Sequence, residues 1–333
     1  MPKKTTIQDI AIYVGVGTGT VSRVINNHPN VSEKTRTKVL DAMNKLGYRP
    51  SFAAQSLRKQ HSKVIGFLTD QVATTPYAVD IIRGAQDVAW EHDKVLIVMN
   101  TGLDLSNSQS AVDALLDREV EGIIYAAMWH HAVEPPINIQ EVPVVLANCF
   151  AKNHTLPCAI PDEISGGYTA IEYLINKGHQ RIAFINLQEN IPAGVGRLEG
   201  YTRALADADI DFDRALVRGG YNNISETGYI ETHILMKLPD PPTAIFVGSD
   251  NIAVGVYDAL KELGLDIPGD VAVIGFDNQE LITTSLRPSL TTIQLPHYEM
   301  GMWALNYLVN DHATDNGHTV EKIHCPIVER SST

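Results

Sequence analysis

Apolar residues first recur at helical spacing at Ile7, Ile10, Ala11 and Val14. Thr6 and Asp9 stand at the spacing of a capping box, with Asp9 a weaker substitute for Glu or Gln, so a short helix is predicted from about Ile7 to Val14. Gly15-Val16-Gly17 breaks the pattern, and Thr18 to Asn26 can form a second short helix with Val21, Val24 and Ile25 inward. Ser32 caps a third, which reaches Leu46 with Val39, Ala42, Met43 and Leu46 as its apolar stripe and Gly47 as its stop. Two short helices around a glycine turn, backed by a third, match a helix-turn-helix. Ser51 can then cap a helix through Phe52 to Arg58, too short to be stable alone, and an ordinary linker is the competing reading.

From Lys63 the period changes. Val64 to Leu68 reads as a buried strand, Val79 to His92 as a helix and Val95 to Met99 as a strand, followed by a helix near 106–118 and strands Gly122 to Ala126 and Val142 to Ala147. A second series follows: helix 164–177, strand 181–186, helices 195–208 and 225–237, strand 243–248, helix 251–263 and strand 271–276. Repeated strand-then-helix order predicts parallel sheets covered on both faces, and two series predict two lobes. The expected fold is therefore α/β, with an all-α helix-turn-helix head on a two-lobed core.

The 333-residue length suits this division, and 44% apolar with 20% charged residues is the composition of a globular chain. No apolar run reaches the about 18 residues of a membrane-spanning helix, and the polar N-terminus lacks the apolar stretch of a secretory signal. Cys149, Cys158 and Cys325 have no metal-ligand spacing and suit a reducing compartment. A cytoplasmic protein without a membrane partner is expected. The net charge of -13 hides an asymmetry: residues 1–63 hold eleven Lys and Arg against three Asp and Glu, leaving 15 basic and 36 acidic residues for the remainder. A basic head on an acidic body points to a polyanion partner for the head alone, against the bland reading of a solvated tail.

Two decoys fall to context. Gly15-Val-Gly17-Thr-Gly19-Thr looks like a phosphate loop, which needs a strand before it, whereas the preceding segment has a helical period. Trp129-His130-His131 invites a metal, but neighbouring histidines project differently and no carboxylate cluster accompanies them, so no metal and no cofactor is expected. No G-x-S-x-G or other catalytic constellation appears, and an enzyme is not expected. Asn148, Asp250 and Asp277 each follow an apolar strand, where a parallel sheet delivers side chains to a crevice, and Arg197 precedes a helix after a Gly194-Val-Gly196 loop. Asp250 has a structural alternative as a helix cap.

The head resembles that of the lactose/galactose repressor (LacI/GalR) family of bacterial transcription regulators. The likeness lies in Thr6-Ile7-Gln8-Asp9-Ile10-Ala11, Gly15-Val16, Thr20-Val21-Ser22-Arg23-Val24-Ile25-Asn26, Val31-Ser32-Glu33-Lys34-Thr35-Arg36, Leu46-Gly47-Tyr48-Arg49-Pro50 and Ala54-Gln55-Ser56-Leu57. The resemblance implies that the second helix enters the major groove with Thr18, Gly19 and Arg23 at base-reading positions. Thr6, Ile7, Gly17, Thr20, Ser22, Asn26, Asn30, Ser32, Thr35 and Tyr48 would contact the DNA backbone. Ser51, Ala54 and Leu57 would lie on a hinge helix that wedges Leu57 into the minor groove. An arginine can take guanine O6 and N7 together, whereas hydroxyls and amides hold phosphates without reading sequence. Two departures stand out: serine is usual at Gly17, and a longer polar side chain is frequent at Gly19.

The likeness continues through the body in Gly166-Gly167-Tyr168, Gly178-His179-Gln180-Arg181-Ile182, Arg197-Leu198-Glu199-Gly200-Tyr201, Asp250-Asn251, Ile267-Pro268-Gly269-Asp270-Val271, Ile274-Gly275-Phe276-Asp277-Asn278 and Arg287-Pro288-Ser289-Leu290. It implies a periplasmic-binding-protein-like core: domains 1–50, hinge 51–61 and core 62–333, the first lobe spanning about 62–160 and 293–318 and the second 162–290 and 320–329. By the same resemblance Arg197 and Asp277 clamp ligand hydroxyls, Asp250, Asn251 and Asn148 add hydrogen bonds, and Tyr77, Trp129 and Tyr221 offer ring faces. Carboxylates, an arginine and flat rings suit a sugar or a nucleoside. The expectation is a homodimeric repressor on a pseudo-palindromic operator, controlled by a sugar-type effector. The rivals are a solute receptor, which the basic head disfavours, and a sugar- or nucleotide-processing enzyme with a basic appendage.

Overall fold

A computed structural model describes residues 5–48, 62–102, 105–153, 155–220, 223–310 and 319–333. The chain divides between Ser62 and Lys63 into two units.

In the first unit, α1 (Ile7–Val14), α2 (Thr18–Ile25) and α3 (Glu33–Lys45) lie where the apolar spacing puts them. Thr6 and Asp9 form the reciprocal capping box, and Gly15 ends α1 at φ 74°, a left-handed position that costs glycine nothing. The Ser32 hydroxyl accepts from Thr35 N at the start of α3. Ile10, Ala11, Val21, Val24, Val39 and Ala42 close a small core. Arg36 donates to Asn27 Oδ1 and His28 O, tying α3 to the turn after α2.

The second unit contains two six-stranded sheets. The first comprises β1 (Val64–Thr69), β2 (Val95–Asn100), β3 (Gly122–Val133), β4 (Val144–Ala151), β5 (Cys158–Pro161) and β11 (Val320–Ile323), in the order β11-β5-β4-β3-β1-β2 with every pair parallel. The second comprises β6 (Ile182–Asn186), β7 (Val217–Gly219), β8 (Ala244–Val247), β9 (Ala272–Asp277), β10 (Thr291–Gln294) and β12 (Ile327–Val328), in the order β12-β10-β9-β8-β6-β7, antiparallel only between β10 and β12. Apolar clusters cover both faces of each sheet, which is why their strands read as unbroken apolar runs.

Helices α4 (Asp80–Glu91), α5 (Leu105–Leu116) and α11 (His297–Val309) belong with the first sheet. α6 (Glu163–Asn176), α7 (Pro192–Asp207), α8 (Ser225–Leu235), α9 (Asp250–Glu262) and the one-turn α10 (Glu280–Thr283) belong with the second.

The C-terminal segment corrects the lobe boundaries expected from the resemblance. β10 pairs with β9, so residues through 294 stay with the second sheet, and α11 then packs on α4 of the first. β11 pairs with β5, which returns residues 320–323 to the first lobe, and only at β12 does the chain rejoin the second sheet. The chain thus passes between lobes three times, near residues 162, 295 and 325. Short strands such as β5, β7, β11 and β12 carry too few residues to show a period.

No helix among the described residues is long and apolar enough to cross a membrane.

Candidate functional site

The head presents one polar surface. On α2, Val21 and Val24 are buried, while Thr18, Gly19, Arg23 and Asn26 are exposed; Gly19, Arg23 and Asn26 are spaced three and four residues apart and share one face. Asn30, Thr6, Gly17 and Ser32 are also exposed, and Ile7, Thr20, Ser22, Thr35 and Tyr48 are half-buried around them. Asn26 Nδ2 donates to Ser22 O, fixing its amide against the helix end. Gly17 is the N-cap of α2 and supplies no side-chain hydrogen bond. Ser51, Ala54 and Leu57, with the expected hinge helix, lie outside the described residues.

In the core unit, a cavity of about 590 Å³ opens between the carboxyl ends of the two sheets. Strand order in each sheet reverses beside its first strand, β1 or β6, the switch point where α/β sheets leave a crevice. β3 reaches the cavity through an irregularity: its register with β4 shifts between Ala126 and His131, which turns Met128, Trp129 and His130 into the lining. β4 delivers Asn148 at φ 57°, and β9 ends on Asp277 at φ 117°, a costly backbone geometry for a non-glycine residue.

Arg197 occupies the centre. It does not follow a loop as expected, because α7 already begins at Pro192, and Gly194 and Gly196 are helical. The glycines serve a close crossing of α6 and α7: a Cβ on Gly196 would stand 2.6 Å from Glu163 Cβ, and one on Gly167 would stand 2.6 Å from Arg197 O. That closeness lets Arg197 Nε donate to Glu163 Oε2 at 2.8 Å. Arg197 Nη1 donates to Gly248 O and lies 3.7 Å from Asp277 Oδ1, and the guanidinium stacks 3.5 Å from the centre of the Phe276 ring. Glu163, Arg197 and Asp277 are 4%, 2% and 6% exposed, so these charges depend on one another for their compensation.

Contacts from the first lobe reach across to this cluster. Tyr77 Oη donates to Asp277 Oδ1 at 3.3 Å, and His130 Nδ1 lies 3.3 Å from Glu163 Oε1. Burial would raise the Glu163 carboxyl, but Arg197 and His130 hold it below its usual range. Burial pushes Asp277 up to about 7 against the pull of Arg197. His130 Nε2 and Asn148 Oδ1 have no hydrogen-bond partner among the described residues, although Asn148 Nδ2 donates to Ala127 O and Met128 O.

Tyr77, Trp129, Asn148, Arg197, Asn251 and Asp277 line one cavity. Asp250 does not. Fully buried behind the wall, it accepts from Thr292 Oγ1 and Gln279 N, each at 2.7 Å, and so holds the turn that carries Asp277. Nor is it the helix cap: Ser249 caps α9 through Ile252 N, and Asp250 is the first helical residue. Tyr221 lies outside the described residues. Sequence reasoning missed Glu163, Gln188, Asn223, Ser249 and Gln279 in the lining, and took His130 only as a rejected metal ligand. Glu163 follows Asp162 at a helix start, where acidic residues are ordinary, so no sequence signal separated it from a dipole-compensating surface acid.

A three-helix unit with a polar recognition face, joined in one chain to a two-sheet unit with a polar cleft, defines a DNA-binding regulator with an effector-binding domain. Residues 6–51 match the model of bacterial regulatory proteins of the lacI family, and residues 62–330 match that of periplasmic binding proteins and the sugar binding domain of the LacI family. The chain belongs to the LacI family of transcription regulators. It is 33% identical to the HTH-type transcriptional regulator RegA of Clostridium saccharobutylicum over 99% of both chains. Among solved structures it resembles the lac repressor dimer bound to operator and the anti-inducer ONPF, with TM-score 0.79 and 26% identity over 99% of both chains. It also resembles the transcriptional regulator CelR-cellobiose complex, with TM-score 0.66 and 26% identity over 99% of this chain and all of that one.

Proposed function

We propose that the chain is a repressor that binds a pseudo-palindromic operator as a homodimer and is controlled by a small sugar-type effector held in the cleft. The observation that carries this reading is the cavity between the carboxyl ends of two parallel sheets, in a chain whose head turns Arg23 outward beside a polar face. Arg23 reads one guanine, with Thr18 and Gly19 against neighbouring bases. Thr6, Ile7, Gly17, Thr20, Ser22, Asn26, Asn30, Ser32, Thr35 and Tyr48 hold the backbone, and Ser51, Ala54 and Leu57 form the hinge contact. In the cleft Arg197, Asp277, Asn148 and Asn251 take the ligand's polar groups, and Tyr77 and Trp129 face its ring; Glu163 keeps Arg197 in place.

The dimer is supported by the lac repressor dimer that the chain resembles. It is also supported by the exposed Trp90, Val95 and Val98, on α4 and the edge strand β2 of the first lobe. The proposed setting is the cytoplasm. Sedimentation of the chain on a half-site and on a full palindrome, with and without candidate sugars, tests the reading. Two protomers per palindrome and a sugar-dependent shift in operator affinity are expected; a monomer on the palindrome at micromolar concentration overturns the dimer.

A further inference from the structure

The cleft's charges carry information about its ligand. Among the described residues that line the cavity, the carboxyl and guanidinium groups are those of Glu163, Asp277 and Arg197: two acids against one base. Arg197 is also committed. Its Nε serves Glu163, its Nη1 serves Gly248 O beside Asp277, and its face is covered by Phe276. A phosphoryl or carboxylate group reaching for this guanidinium competes with Glu163 and Asp277 for one cation and sets a third negative charge beside two buried carboxylates. Two of the helix N-termini at the cavity, those of α6 and α9, are likewise occupied, while that of α7 carries no side-chain cap. At α6 the Asp162 side chain accepts from Ser165 N, with Glu163 next in line, and at α9 the Ser249 hydroxyl accepts from Ile252 N, with Asp250 behind it. Burial already pushes the Asp277 carboxyl up despite Arg197, so the cavity resists further negative charge.

The cavity has acceptors to offer instead. Asn148 spends its amide N–H groups on Ala127 O and Met128 O, leaving Oδ1 to accept. In the neutral His130 tautomer whose Nδ1–H donates to Glu163, Nε2 is an acceptor too. Hydroxyl groups satisfy such atoms; ionised phosphate and carboxylate oxygens bring no proton. Leu187, Ile191, Leu295 and Trp129 supply apolar faces for ring C–H groups.

We propose that the cleft selects an uncharged, hydroxyl-rich molecule and rejects phosphorylated or carboxylated counterparts of the same skeleton. This rests on the cavity being the effector site. Calorimetric titration of the full chain with matched pairs tests it: D-ribose and ribose 5-phosphate, D-glucose with glucose 6-phosphate and gluconate, and adenosine and adenosine 5′-monophosphate, with cellobiose as an unpaired neutral probe. At least one neutral member binds, and its charged partner binds about 100-fold more weakly or worse, the cost of an unpaired buried charge. Asp277→Asn narrows that gap. A charged member that binds as tightly as its neutral partner overturns the charge inference. If that binding is lost in Arg197→Ala, the effector cleft survives and only its preference is wrong. Neutral binding that survives unchanged in both Arg197→Ala and Asn148→Ala places the ligand elsewhere and overturns the site assignment as well. Failure of every neutral member to bind overturns both.

Discussion

The head and the cleft solve opposite problems with polar residues. In the head, six buried apolar residues make the core, and the proposed reading groups, Arg23 and Asn26 among them, are exposed and take no part in it. In the cleft, the polar groups are the interior: Arg197, Glu163 and Asp277 are almost wholly buried and compensate one another. A function on an exposed face can be altered with little effect on stability, whereas a function built from a buried ion cluster cannot. The contrast gives four expected outcomes.

The largest effect separates the two regions outright. Removing residues 1–62 should abolish specific operator binding and leave effector binding to the remaining unit intact, since the two units are divided at that point. In the full chain, operator affinity should fall about 10³ to 10⁵-fold between 50 and 200 mM salt if six to ten phosphates are contacted. A fluorescence-anisotropy titration across that range checks the slope, and a salt-insensitive complex would show that the basic surplus of the head is not its means of attachment.

Next comes the buried cluster. Arg197→Ala leaves Glu163 and Asp277 without their shared cation, and breaking such a pair costs about 3 to 5 kcal/mol. Effector affinity and melting temperature should fall together, by at least about tenfold for the former. Calorimetric melting of the variant decides: an unchanged melting temperature would mean that the cluster is as separable from the fold as the head's surface is.

What could be read in the sequence follows the same division. Periodicity found α1, α2 and α3 and most of the buried strands, because an apolar residue's place in a regular element is a local property. The recognition face was legible through the family resemblance carried by Gly15-Val16 and the Thr20 to Asn26 string. The cleft was legible only where a polar residue follows an apolar run, as at Asn148 and Asp277. Glu163 and His130 join the site through the α6–α7 crossing and the β3 irregularity, which are tertiary facts, and Asp250 leaves it because Thr292 and Gln279 claim its carboxylate. The two crossings near the C-terminus were misplaced for the same reason: β11 has only four residues and no period to mark which sheet it joins.

A smaller effect tests whether the head's surface can be edited freely. Arg23→Lys keeps the charge but loses the two-pronged donor, so discrimination at one base pair should weaken by about 1 to 3 kcal/mol. The melting temperature of the protein should not move, because Arg23 is exposed. Binding to a set of operators varied one position at a time checks it, and equal losses at every position would make Arg23 a phosphate contact.

The smallest effect is expected at Gly17. It starts α2 with φ -71° and ψ 150°, the extended geometry of an N-cap, yet contributes no side-chain bond, and a Cβ placed on it meets nothing within 4 Å. Serine can therefore enter without strain, and its hydroxyl can accept from an amide of the first turn, near where Thr20 N now reaches only Gly17 O. Glycine is itself a tolerated cap, so Gly17→Ser should stabilise the head by only a few tenths of a kcal/mol. Whole-chain melting is too coarse for this, since the larger unit dominates the signal. Hydrogen exchange of the α2 amides, read in the full chain, isolates it: their protection should rise up to a few-fold while that of the β-sheet amides stays constant. If operator affinity rises by more than this gain in protection explains, the new hydroxyl has also reached a phosphate, and position 17 is a DNA contact; if protection does not rise at all, the absent cap was never a weakness of this head.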